Sequence, residues 1–173
     1  MPRLLDRMPF SDSPGEVFFR GERIRVRPNQ ILLWIHVGNQ RARDPSPAAV
    51  PFPVLLDTGH NHHFSIQRRH LVEWAGLQPE ALAVLGAVRE RGQRHLLHAA
   101  NLWIHTNVRG KREQLVDRPP HLIEARAGIA VYAEGDFPRR PILGLRAIAE
   151  NEFILTVNGK RREATLRTRF RLW

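Results

Sequence analysis

The chain has 173 residues, enough for one domain with a proper core, and 42% of them are hydrophobic, a share that fits a soluble globular fold. No run reaches the roughly 18 apolar residues that span a bilayer. The opening residues hold no apolar stretch of signal-peptide type, so a cytoplasmic protein is expected, and the absence of cysteine excludes disulfides, thiol catalysis and thiolate metal sites. The net charge of +10 is almost all arginine, with Lys111 and Lys160 the two lysines. Its basic residues are scattered except near the end, where Lys160, Arg161, Arg162, Arg167, Arg169 and Arg171 face one acid, Glu163. That cluster leaves a nucleic-acid-binding β-domain as a lesser reading.

In chain order, residues 1–21 carry little periodicity and read as an irregular N-terminal arm, with one domain over 22–173. Ile24 and Val26 alternate with arginines, as in a half-buried strand. Residues 31–37 are an apolar run of the kind buried on both faces, stopped by Gly38-Asn39. A proline-rich loop from Arg41 leads to a strand ending at Asp57.

Residues 67–76 predict a short helix capped by Gly76, and Pro79 predicts a further helical turn ended by Gly86. Strands resume at Ala87, with a turn at Arg91-Gly92-Gln93, and a polar surface loop covers 106–120. Trp34, Trp74 and Trp103 sit in apolar patterns and belong to the core. Leu122-Ile123 and Ile129-Ala130-Val131 are strand pieces, and Pro141 to Leu145 leads into a helix reaching Glu150. Asn158-Gly159 predicts a two-residue hairpin turn. Leu166, Phe170 and Leu172 form a last apolar stripe, ahead of a terminal Trp173. The class is mainly β with two or three short helices.

Two segments carry the chemistry. An apolar run, Phe52 to Leu56, drives into Asp57-Thr58-Gly59, and Phe64-Ser65-Ile66 follows. A carboxylate at the end of a buried strand requires a turn that supplies N–H donors. Much later come Ile142-Leu143-Gly144 and a short helix. The pair resembles the active-site loop and the apolar-apolar-Gly-helix segment of the retropepsin-like, single-lobed aspartic peptidases, bacterial or cellular type. The likeness covers about 22–170.

The resemblance implies a closed retropepsin-like barrel in which the two segments cross in a psi-shaped loop. It implies an aspartic endopeptidase active as a homodimer, with Asp57 from each chain as the catalytic pair. Thr58 would lock the two loops across the axis. Gly59 would offer its N–H to the carboxylate, and Gly144 would allow close approach beneath the loop. His60 stands where the family usually has Ala or Ser. His60, Gly92 as the flap tip, Ile142, Leu143 and Gly144 are the expected substrate-binding residues. The Leu166-Phe170-Leu172 stripe would either interleave with a second copy or form an edge strand within one subunit. A peptide or protein substrate and no cofactor are implied.

His60, His62 and His63 are close enough in sequence to suggest zinc, but no spacing fixes them on one face and no metal is assigned. A non-catalytic peptide-binding or dimerisation module on the same fold is the alternative function. The plainest reading of Asp57 is an acid capping a strand-end turn.

Overall fold

The computed structural model describes residues 2–47, 49–90 and 92–169. It is mainly β, with few and short helices. The strands are β1 (Arg3–Pro9), β2 (Gly15–Phe19), β3 (Glu22–Val26), β4 (Ile31–Asn39), β5 (Phe52–Asp57) and β6 (Phe64–Gln67). Helix α1 (Arg68–Glu73) and a 3-10 turn (Pro79–Ala81) come next. They are followed by β7 (Val84–Glu90), β8 (Gln93–His98), β9 (Ala100–His105), β10 (His121–Ile123), β11 (Ile129–Tyr132) and β12 (Ile142–Gly144). Helix α2 (Leu145–Glu150), β13 (Phe153–Asn158) and β14 (Glu163–Thr168) complete the described chain.

Nine strands form one sheet in the order β10-β9-β4-β5-β12-β6-β11-β8-β7. β4, the long apolar run, lies near its middle and is buried over Leu32–Val37, as expected of a strand covered on both faces. The expected closed barrel is not found: among the described residues the sheet's ends, β10 and β7, are not paired with each other. The reason lies in the β7–β8 hairpin. The first four residues of β7 are exposed, so this end of the sheet presents an open edge where a closed barrel would continue. No helix among the described residues is long and apolar enough to cross a membrane.

The stretch expected to be an irregular arm forms two strands instead. β1 pairs with β14, which pairs on its other side with β13, and β2 forms a hairpin with β3. Leu4, Leu5 and Met8 are buried in the same core as β4 and β5. Two register shifts in the β1–β14 ladder and a positive φ of 48° at Arg7 explain the missed strand, because they break the two-residue alternation. Asn107, buried in the loop that follows β9, fastens the arm. Its Oδ1 accepts from Asp6 N and its Nδ2 donates to Asp6 O, both at 2.9 Å.

An aromatic cluster joins β2, β4, β5 and the end of α1. The Phe19 ring lies 5.2 Å from Trp74 and 6.5 Å from both Trp34 and Phe52. Trp34, Trp74 and Trp103 are all buried, as their apolar surroundings predict.

Three local expectations are corrected. Gly86 does not end a helix but lies inside β7, because the helical turn after Pro79 stops at Ala81. The β13–β14 hairpin forms, but Asn158 pairs with Glu163 and the loop is four residues long. Asn158 Oδ1 accepts from Arg161 N at 3.0 Å and Arg162 takes the positive φ of 51°, so the side chain shapes a wider turn than Asn-Gly alone predicts. Leu166 is fully buried in β14, the middle strand of its sheet, so it is neither an edge nor free to interleave with a second copy. Phe170, Arg171, Leu172 and Trp173 lie outside the described residues, as does Arg91 of the expected turn.

Candidate active site

β5 and β6 are consecutive in the chain but not neighbours in the sheet. β12 lies between them, parallel to β5 and antiparallel to β6. The connection from residue 58 to 63 must therefore cross over the end of β12. In register, Leu143 faces Leu56 on one side and Phe64 on the other, and Gly144 faces Asp57. The crossing is hydrogen-bonded: Gly144 N–H donates to His63 O at 3.0 Å and Leu145 N–H to His60 O at 2.9 Å.

Glycine at 144 is obligatory. A Cβ there would fall 2.0 Å from His62 O and 2.5 Å from His60 O, both backbone atoms that cannot turn away. Position 144 is also the hinge into α2, whose first residue, Leu145, is 44% exposed beside the loop.

Asp57 ends β5 at the surface. Gly59 N–H donates to its Oδ1 at 2.8 Å, and His60 N–H donates to Asp57 O at 3.2 Å, so the triplet is a tight turn around the carboxylate. Asp57, Thr58 and Gly59 are all exposed. An acid held by a backbone donor yet presented outward is suited to meet a partner group in front of it.

The three histidines that follow do not converge. His60 turns inward, where its Nε2 lies 2.7 Å from Ser65 Oγ. His63 is buried, with Nε2 2.8 Å from Glu150 Oε2 on α2, and that carboxylate also receives Arg146 at 2.6 Å. Burial holds both imidazoles below their ordinary range. For His60 the neighbouring His62 adds to the effect while Glu90 and Asp57 oppose it, and for His63 the bond to Glu150 opposes it. No cluster of three or more His, Asp or Glu side chains placed to hold a metal occurs among the described residues.

Ser65, Tyr132 and Glu90 were not legible as site residues, yet they extend the His60 contact. Tyr132 is buried, its hydroxyl donates to Glu90 Oε2 at 2.7 Å, and it is hydrogen-bonded to Ser65. Ser65 lies between the two, against His60 Nε2 on one side and the Tyr132 hydroxyl on the other. Burial, foremost, and the Glu90 bond push the phenol up, so it stays protonated. A polar chain therefore runs from the Asp57 loop to the β7–β8 hairpin. A serine between two buried apolar residues, Phe64 and Ile66, was the signal in the sequence that such a partner existed.

Gly92, the expected flap tip, sits between Glu90 and Gln93 with a φ of 81°. The hairpin around it runs from Val84 to His98, longer than the expected 88–97. Ile142 and Leu143 are 4% and 0% exposed, and Gly144 is buried beneath the loop. These three lie beneath the loop, and His60 is buried beside Gly144.

A cleft of about 250 Å³ opens between the hairpin and the loop after β11, lined by Glu90, Gln93, His95, Tyr132 and Asp136 among others. A larger depression, about 560 Å³, lies along β2 and β3 and shares no residue with the Asp57 loop. Of the basic cluster near the C-terminus, Arg162 pairs with Asp12 at 2.5 Å and Arg161 with Glu163 at 3.9 Å, which reduces its free charge. The chain matches no family model and no curated protein.

Proposed function

We propose that the chain is a retropepsin-like aspartic endopeptidase, active as a homodimer in which the two Asp57 carboxylates meet across a two-fold axis. One observation carries the reading: β12 is inserted between β5 and β6, so that Gly144 lies under the loop presenting Asp57. A capping acid needs a turn, but it needs no second segment threaded beneath that turn.

A single chain supplies one such acid, and a two-fold axis supplies the second. Two carboxylates about 3 Å apart do not both ionise, so the pair shares one proton and titrates as a unit. The charged member takes a proton from a bound water, which attacks the peptide carbonyl, and the protonated member polarises that carbonyl. Gly59 N–H, already on Asp57 Oδ1, orients one carboxylate, and Thr58 holds the two loops together across the axis. The substrate lies extended beneath the β7–β8 hairpins as an added strand.

A second reading, a peptide-binding or dimerisation module without turnover, is favoured by His60 in place of a small residue and by a hairpin tip with Gly92 as its one described glycine. The test is digestion of an unstructured protein by the wild type and by Asp57→Asn, from acidic to neutral pH. Cleavage by the wild type alone supports the peptidase. Equal cleavage by both ends it, and peptide binding without cleavage by either selects the module.

A further inference from the structure

We infer that the cleft between the β7–β8 hairpin and the loop after β11 is a side-chain subsite for a basic residue of the peptide, arginine by preference. The inference rests on the Asp57 loop being a peptide site, catalytic or not.

The cleft, about 250 Å³, is smaller than the roughly 300–1,000 Å³ of small-molecule pockets and is sized for one side chain. Its walls are built rather than incidental. On one side, Glu90 and Gln93 are register partners flanking the hairpin tip, and His95 lies on the same face two residues on. The His95 ring packs 4.2 Å from that of Tyr132, which forms the floor. On the other side, Gln67 Nε2 donates to Asp136 O at 2.6 Å and so pins the loop that carries the Asp136 carboxylate.

Charge selects the occupant. The chain carries a net +10, yet no described lysine or arginine lines this cleft, whereas Glu90 and Asp136 both do. Arg89 and Arg94 are register partners on the hairpin, and strand alternation sends them to its other face. The phenol of Tyr132 donates to Glu90 Oε2, so this carboxylate is held in place at the rim. A guanidinium suits such a site better than an ammonium, because its planar fork of donors can pair with carboxylates on both walls, Glu90 and Asp136.

The polar chain from His60 through Ser65 and Tyr132 ends on Glu90, which ties the subsite to the loop bearing Asp57. A basic side chain in the cleft therefore fixes the peptide relative to that acid.

The experiment uses short peptides carrying one arginine at each position in turn, and twins with citrulline, its neutral isostere. Cleavage is measured with the wild type and binding with Asp57→Asn. At one position the arginine peptide is expected to be cleaved or bound at least about tenfold better than its twin, and the ratio to collapse toward unity in Glu90→Gln. The amide oxygen introduced by Glu90→Gln still accepts the Tyr132 proton, and Asp136→Asn is the second variant should the first fold poorly. Cleavage with no arginine preference at any position, or a preference that survives both substitutions, overturns the subsite and leaves the peptidase standing. A Glu90-dependent binding preference without cleavage supports the subsite and ends the peptidase reading. Neither binding nor cleavage of any peptide overturns both.

Discussion

Gly144 and Asp57 are register partners: where β12 runs parallel to β5, the glycine lies beside the acid, and the chain following the acid passes over the glycine. The absent side chain at 144 is what lets residues 60–63 cross at backbone contact distance. The position of the carboxylate and the integrity of the fold thus depend on the same atom-sized space.

Gly144→Ala is accordingly expected to destabilise the protein by about 3 kcal/mol or more, the upper range for overpacking, because the clashing atoms are two backbone carbonyls. Urea unfolding checks this, and a loss below about 1 kcal/mol would show that the crossing is looser than described.

Removing the carboxylate that holds His63 has a separate cost. In Glu150→Ala the buried His63 loses its bond to α2, and its Nδ1 already lacks a partner. A loss of about 1–3 kcal/mol is expected, with Glu150→Gln retaining most of the stability because an amide oxygen can still accept. Equal stability of Glu150→Ala and wild type would refute the role given to this bond.

Acid sensitivity follows from the buried imidazoles. Burial, with Arg69 and Arg140 nearby, lowers His70 from 6.5 to about 4, and burial with His36 does the same to His105. Both are neutral in the fold, while the unfolded chain takes up their protons below about 6.5. Their contribution is therefore complete above about pH 6.5, is lost as pH falls toward 4, and changes no further below that. For the buried His70 the displacement corresponds to at most roughly 3 kcal/mol. Thermal melts from pH 8 to 4 should show the loss, and His70→Phe should flatten it. An unchanged slope in that variant would remove His70 as a cause.

The β7–β8 hairpin is expected to open independently. Among the described residues β7 has no neighbour on its outer edge, and its first four residues are exposed, whereas β4, β5 and β12 lie within the core sheet. Hydrogen exchange should be fast along β7 and limited by global unfolding in β4. Protection of β7 equal to that of β4 would argue against a moving flap.

If the acids are shared across a two-fold axis, specific activity must fall on dilution as dimers dissociate, in step with the dimer fraction in sedimentation. Activity per chain that stays constant after the dimer has gone would exclude a paired site.

Much of this architecture was legible locally. The apolar run of β4, the strand ending at Asp57, the burial of Trp34, Trp74 and Trp103, and the succession of Ile142-Leu143-Gly144 and α2 all follow from hydrophobic periodicity and terminator residues. Those signals act between residues a few positions apart, so the sequence by itself determines them. Tertiary structure alone decided what depends on distant segments. β12 reaches β5 by a parallel pairing across more than eighty positions, which no local pattern encodes. β1 was hidden because its register shifts erase the alternation that marks a strand. The inward turn of His60 depends on Ser65, and that of Ser65 on Tyr132 and Glu90, because a buried polar group is placed by whichever partner the fold brings within hydrogen-bond reach.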